Sequence, residues 1–360
     1  MKNIPHNKPF IPKKSYKSIK KVLKSGWINY GSISHDTEKL LCDILNIRSE
    51  SVLVTNGTSA LFLALKALKI KKGDEVIVPT YTCTALLNAI YMTQALPIVV
   101  DISLDNLGIS YSNIQKALSK KTKAILAVHT YGIPTDIKRL KKYNIPIIED
   151  CAQALGSRYT NSKQKCGTIA DLSIYSFYAS KMITGGIGGA VVSQNKEYIS
   201  YIKDYILFDN PHRYEPKFNF QISDINASMI YSGLQELSKL LKKRKKVSKY
   251  YNSIINNKKI IKYNIISGNN HYRYLLFFDD IQKKKECQKK MLSKGIRTIV
   301  PTKSKELLHN YMKLNKKNYK NAEYIAPRLL SIPIYYTLNS KDIKYISKAI
   351  NDCLSTPTGI

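Results

Sequence analysis

The chain has 360 residues, 44% of them apolar, which is enough for two domains or one large α/β domain around a packed core. No apolar run approaches the roughly 20 residues of a membrane span. The opening Met1-Lys-Asn-Ile-Pro-His6 has no signal-type hydrophobic segment, so a cytoplasmic protein without a membrane partner is expected. The net charge of +33 raises nucleic acid as a partner, yet only eight of the 58 basic residues are arginine, and the lysines run along the whole chain among abundant Ile, Asn and Tyr. That pattern fits compositional bias in an AT-rich coding genome better than a recognition surface. We expect no nucleic-acid partner, although the charge can steer an anionic substrate.

In chain order, a polar arm leads to a basic amphipathic helix at about 14–25. The turn Gly26-Trp-Ile-Asn-Tyr-Gly31 and a helix at 36–45 follow. Trp27 reads as buried under a neighbouring element or as placed at a substrate mouth. Residues 51–55 read as a strand, 56–59 as a turn and 60–68 as a helix. This turn makes an anion site at a helix N-terminus, or Thr58 or Ser59 simply caps the helix. Strands at 75–79, 97–101, 123–128 and 145–149 then alternate with helices at 82–92, 112–118 and 136–143. The rhythm implies βαβ units and a mostly parallel sheet. Ligands of such sheets bind beyond the carboxyl ends of the strands, which gathers 56–59, 81–84, 129–131 and 149–153 at one rim.

Glu149-Asp150-Cys-Ala-Gln153 runs from an apolar strand directly into acidic residues. A carboxylate there needs a partner. It either caps a helix or pairs with a protonated ring nitrogen, in which case Gln153 can donate to a phenolic ring oxygen. Next, a strand at 171–177 enters Ser176-Phe-Tyr-Ala-Ser-Lys181, a glycine run follows, and 189–193 returns as a strand. Lys181 is either a solvated loop residue or an amine that attacks a carbonyl, the working idea being a Schiff base with pyridoxal phosphate. Residues 197–208 read as a helix and 208–220 as a polar, aromatic loop. One long amphipathic helix follows Ser223, with Ile225, Met229, Ile230, Leu234, Leu237 and Leu241 on a face. A smaller α+β unit closes the chain, with strands at 274–278 and 297–300 and helices at 283–293 and 341–354. We expect a large unit at 1–245 and a small one at 246–360. Six cysteines without any C-x-x-C spacing read as reduced thiols, and no metal site is expected.

Taken together, these stretches resemble the DegT/DnrJ/EryC1/StrS family of pyridoxal-phosphate-dependent sugar aminotransferases, almost end to end. The resemblance is carried by Ser25-Gly-Trp-Ile-Asn-Tyr-Gly31, Asn56-Gly-Thr-Ser-Ala60, Gly73-Asp-Glu-Val-Ile-Val-Pro79, Val128-His-Thr-Tyr-Gly132, Glu149-Asp-Cys-Ala-Gln-Ala154 and Ser176-Phe-Tyr-Ala-Ser-Lys181. Ser223-Asp-Ile-Asn-Ala227 and Leu330-Ser-Ile-Pro-Ile334 add to it.

The resemblance implies a fold-type-I, aspartate-aminotransferase-like α/β architecture and a homodimer with shared active sites. It implies that Lys181 is catalytic and holds the cofactor, that Asp150 pairs with the pyridine nitrogen and that Gln153 contacts the ring oxygen. Ser176, Thr58, Ser59 and the Ala60 amide would hold the phosphate. Asn219 or Gln221 stands where a partner-subunit phosphate contact is usual, and Cys83 where an aromatic ring often stacks. The substrate would meet the turn of Trp27 and Tyr30, the 208–220 loop and the region of His309. The implied reaction moves an amino group, from glutamate, onto a keto group of a nucleotide-linked sugar, in deoxyamino-sugar synthesis for surface polysaccharides or glycosides. A sugar dehydratase, against which Lys181 itself argues, or a non-catalytic regulator of the same fold are the alternatives.

Overall fold

The computed structural model describes residues 2–209, 214, 216–255 and 257–354, so part of the 208–220 loop lies outside the described residues. Seven strands form the main sheet: β1 Glu50–Val54, β2 Glu75–Pro79, β3 Leu96–Val100, β4 Thr122–Val128, β5 Ile147–Asp150, β6 Leu172–Ser176 and β7 Gly189–Ser193. Their order is β1-β7-β6-β5-β4-β2-β3. The run from β3 to β6 is parallel, and β7 lies antiparallel to both of its neighbours. Alternate residues feed cores on opposite faces. Val52 and Val54 pack with Leu63 and Leu65 on one side, and Leu53, Ile77 and Ile125 lie on the other. A sheet covered on both faces explains why its strands are short apolar runs rather than polar–apolar alternations.

The helices α1 (Lys13–Ser25), α2 (Ser32–Leu45) and α3 (Gly57–Ala67) frame the first strand. Gly26, at φ +71°, stops α1, and its N–H returns to the Leu23 carbonyl. The N-cap of α3 is Asn56, whose side chain accepts the Ser59 N–H. Thr58 and Ser59 therefore lie inside the helix rather than in the turn expected before it. The long helix expected after Ser223 is two helices, Asp224–Gln235 and Leu237–Ile254, broken at Glu236. The Glu236 N–H reaches back only three residues, to the Gly233 carbonyl, which tightens the turn and redirects the chain. Ile225 and Met229 are consequently only half-buried.

A second, two-stranded antiparallel sheet joins β8 (Tyr274–Phe277) to β9 (Leu329–Ile332). Residues 297–300, expected as a strand, make only an isolated bridge between Ile299 and Ser331. The helices Ile281–Ser293 and Ser340–Leu354 contribute Met291, Ile346 and Ile350 to the core of this unit. Ile4 of the N-terminal arm is buried in the same core and bridges Ile296. The arm is therefore fastened to the far end of the chain. The boundary expected at 245/246 falls within the helix Leu237–Ile254, which runs on without interruption.

Candidate active site

A cavity of about 260 Å³ opens at the carboxyl ends of β2, β4 and β5. Residues 81–84 follow β2, 129–131 follow β4, and Asp150, Ala152 and Gln153 end β5; all of them line it. Three of the four stretches expected at one rim thus meet in one space, as strand polarity dictates. Lys181 joins them from the loop after β6, while Arg273, Pro301, Thr302, Glu306 and Tyr311 close the opposite side.

Glu149 and Asp150 are adjacent on β5, so their side chains leave opposite faces of the sheet. Glu149 turns inward to a closed network. It accepts from His129 Nε2 (2.7 Å), Tyr159 Oη (2.6 Å) and the N–H groups of Gly167, Ile169 and Ala170. Burial opposes its charge, but the bonds from His129, Tyr159 and the backbone outweigh it and hold its carboxyl below the usual range. His129 Nδ1 accepts the Thr135 N–H at 3.0 Å, which leaves the proton on Nε2. His129, Glu149 and Cys151 cluster as metal ligands can, but protein hydrogens already engage the His129 nitrogens and both Glu149 oxygens.

Asp150 faces the cavity. Its recorded side-chain bond is one accepted from the Ala152 N–H at 2.9 Å, and burial pushes its carboxyl upward, opposed by that bond and the nearby Lys181 charge. A buried carboxylate with acceptor capacity to spare suits a cationic N–H. Gln153 spends its amide oxygen on the Tyr131 N–H (2.8 Å), which turns its NH₂ into the available donor. Tyr131 makes that contact from a left-handed backbone, at φ +56°. Cys83 lines the cavity too and is exposed there.

The loop carrying Lys181 is pinned from elsewhere in the chain: the Ser180 carbonyl accepts from Asn7 Nδ2 (3.3 Å) and from Tyr272 Oη (3.1 Å). Lys181 Nζ sits 6.0 Å from the Tyr272 ring centroid. The glycines after it serve the backbone and do not line the cavity. A Cβ on Gly189 would fall 2.3 Å from the Asn56 carbonyl oxygen, and Gly188, at φ +145°, carries the bridge to Asn56. These residues bring the start of α3 against the end of β6.

There, a Cβ on Gly57 would lie 3.0 Å from Ser176 Cβ and 3.2 Å from its Oγ, so the glycine makes room for the hydroxyl at the helix N-terminus. The Ala60 amide, expected to face an anion, is already bonded to the Asn56 carbonyl (3.1 Å), and the Ser59 amide to Asn56 Oδ1 (2.9 Å). Each closes the first turn of α3. The Gly57 and Thr58 N–H groups precede that turn and have no intrahelical acceptor. Ser59 Oγ meets Thr55 Oγ1 at 3.1 Å. Phe220 is tied to this turn by its carbonyl, which accepts the Thr55 N–H. Gln221 Oε1 accepts from Asn29 Nδ2, and Asn219 Oδ1 accepts the Gln221 N–H. The turn therefore forms a second centre, outside the cavity lining.

Three expected substrate residues lie apart from the cavity lining. Trp27 is not buried: it covers Gly31 and stays 64% exposed. Tyr30 donates to Glu38. His309 is fully buried, stacked on Tyr319 and held between Thr80 Oγ1 (2.7 Å) and Glu323 Oε1 (2.9 Å); its neighbours Glu306 and Tyr311 reach the cavity instead. Sequence reasoning missed Arg273 and Thr302, and no local motif marks either one. Only the meeting of the two units brings them in.

The family model described as the DegT/DnrJ/EryC1/StrS aminotransferase family matches residues 9–351. A GDP-perosamine synthase of Vibrio cholerae is 33% identical over 252 residues, 67% of this chain and 68% of that protein. A GDP-perosamine synthase of Escherichia coli is 41% identical over 201 residues, which span about half of each protein (54%). Among solved structures, the sugar-aminotransferase-type protein Spr1654 of Streptococcus pneumoniae superposes with a TM-score of 0.89 at 26% identity, over 98% of this chain and 99% of that one, in its PMP form. The same protein is also known in a PLP form. The chain belongs to the DegT/DnrJ/EryC1/StrS aminotransferase family, and its cofactor is pyridoxal phosphate.

Proposed function

We propose that the chain moves an amino group from glutamate onto a keto group of a nucleotide-linked sugar. The observation that carries this reading is the convergence of the Lys181 amine, the buried Asp150 carboxylate and the Gln153 amide on one cavity, with Ser176, where the Lys181 loop starts, set against a helix N-terminus whose first N–H groups have no intrahelical acceptor. Bound pyridoxal phosphate supplies an electron sink for the carbon that carries the amine. The residues fit that group. Lys181 Nζ would hold its carbonyl carbon, Asp150 would accept from its ring nitrogen and Gln153 would donate to its ring oxygen. The Gly57 and Thr58 amides, with the hydroxyls of Thr58, Ser59 and Ser176, receive its phosphate. The positive end of α3 adds about 0.3–1 kcal/mol of attraction for the anion.

When its amine is free, Lys181 Nζ would be placed to take a proton from the substrate carbon and to return it, as base and then acid. Asp150 stays charged opposite the ring nitrogen. Cys83 offers a small thiol where a flat ring would otherwise stack, which widens that side of the cavity.

The homodimer belongs to the same reading. Trp27, Ile28, Ile187 and Phe218 are large apolar side chains, each about half exposed or more, in segments bonded to or flanking the Asn56 turn. A second copy would cover them and bring Asn219 or Gln221 to a neighbouring phosphate. Residues 1–245 hold the cofactor in this scheme, and 246–360 close over it. Among the described residues no helix is long and apolar enough to cross a membrane; we place the reaction in the cytoplasm. GDP-linked keto sugars head the substrate screen, because two relatives are GDP-perosamine synthases. Incubating each candidate with glutamate and holoenzyme, with mass detection of the amino sugar, tests the reading. Amination of no nucleotide-linked sugar would overturn it.

A further inference from the structure

We propose that Arg273 is the carboxylate-binding residue for the amino donor. The inference rests on the aminotransferase reading above.

Arg273 lines the same cavity as Lys181. Its guanidinium carbon is 5.3 Å from the Tyr272 ring centroid and 5.9 Å from that of Tyr131, while Lys181 Nζ is 6.0 Å from the same Tyr272 ring. Both rings are within cation–π range of the guanidinium. Tyr131 is itself anchored: its N–H bonds Gln153, and its hydroxyl bonds Thr302 Oγ1 (2.6 Å) and Tyr81 Oη (3.2 Å).

Among the described residues, no carboxylate pairs with this charge. The ion pairs among the described residues leave Arg273 out, and Glu306, across the cavity, is paired with Lys303. The side-chain contact recorded for the guanidinium is a long one, Nη1 to His6 Nδ1 at 3.5 Å. His6 is held neutral by its own surroundings: Nε2 lies 2.9 Å from Ser331 Oγ, and burial together with Arg273 and Arg244 disfavours a charged ring. It can accept from Arg273 but cannot neutralise it. Nε of Arg273 is sealed from solvent without a hydrogen-bond partner. A permanent cation that lines the substrate cavity, with no carboxylate partner among the described residues, calls for an anion delivered by substrate to its terminal nitrogens.

The two substrates of the proposed reaction both carry one. In an amino acid the carboxylate is bonded to the very carbon that bears the amine, so it must lie close to Lys181. The diphosphate of a nucleotide-linked sugar is separated from the reacting carbon by the sugar ring and extends outward. An arginine that shares one tyrosine ring with the catalytic lysine matches the first geometry, and its planar fork matches a planar carboxylate.

The test is calorimetric titration of holoenzyme with glutarate, a dicarboxylate that has no amine to transfer, and separately with GDP. The wild type is compared with Arg273→Met, which removes the charge, and Arg273→Lys, which keeps the charge without the fork. Glutarate affinity should fall at least about tenfold in Arg273→Met, as for loss of a charged hydrogen-bonded pair, with a smaller loss in Arg273→Lys and GDP affinity unchanged in both. Thermal unfolding and the visible spectrum of bound cofactor report whether each variant is folded and loaded. Unchanged glutarate binding in Arg273→Met, or a loss confined to GDP, would overturn the proposal, as would a wild type that does not bind glutarate. If glutarate binds through Arg273 while glutamate donates no amine, it is the donor reading that fails and not the binding site.

Discussion

The cavity wall formed by strand ends and the wall facing it, from residues 272–311, are held by different means. Asp150 and Gln153 stand at the end of a strand whose neighbour, Glu149, accepts five hydrogen bonds on the far side of the sheet. Arg273 and Thr302, by contrast, meet Tyr131, far away in sequence, through a ring contact and a hydroxyl contact. A wall fixed by sheet register can hold a cofactor to fractions of an ångström. One carried on a separate unit can shift to admit different substrates. In our reading, cofactor chemistry resides on the first wall and substrate choice on the second.

The largest effect should come from the back of the first wall. Glu149→Gln puts an NH₂ where an oxygen accepts buried donors and should destabilise the fold by about 3 kcal/mol or more in denaturant titration, since each hydrogen bond to a charged group is worth about 1.5–3 kcal/mol and more than one is lost. An equal loss from substitutions on both walls would break the contrast. One residue on, Asp150→Asn should leave folding nearly intact and slow amino transfer about a hundredfold, the scale of one misplaced electrostatic group in an active site. If stability fell and the rate held, the opposite-face assignment of this pair would be wrong. Gly57→Ala pushes a methyl against Ser176 and should raise the cofactor dissociation constant about tenfold, a change of about 1.4 kcal/mol.

The smallest effect should lie behind the second wall. Burial lowers His6 to about 3 and His271 to about 4. Both are therefore neutral in the fold, whereas in the unfolded chain they take up protons near their ordinary value of 6.5. Stability from each is fully present above that value and is lost as pH falls toward the folded one, by at most about 1.4 kcal/mol per pH unit per histidine. His6→Asn should remove one histidine's share of that slope between pH 6 and 4. An unchanged slope would show that the arm is not docked as described.

The sequence displayed the first wall well, because a parallel sheet places strand ends at one rim and because Asn56, Asp150, Gln153 and Lys181 lie within or just after recognisable strands. It was less informative wherever a property depended on hydrogen-bond allocation. The Ala60 amide is taken up by Asn56, a fact that helix phasing decides within one residue. Residues 297–300 have strand composition but only one bridging partner at Ser331. Trp27 has a side chain suited to burial, yet no element among the described residues covers it. His309 lies near the right place, but a stacked Tyr319 and two hydrogen bonds turn it into the core. Arg273 was invisible for a simpler reason: its significance is the lack of a carboxylate beside it, and only the fold shows who its neighbours are.

The central claim is that Lys181 holds the cofactor and that glutamate delivers the amine there. Purified holoenzyme mixed with glutamate alone, without sugar, tests it most directly through the visible band of the bound cofactor and the 2-oxoglutarate released. The band should bleach with one equivalent of 2-oxoglutarate per active site, and Lys181→Ala should give neither the same resting band nor catalytic release. A wild-type band indifferent to glutamate and to every other amino acid, or a Lys181→Ala protein that matches the wild type, would contradict it.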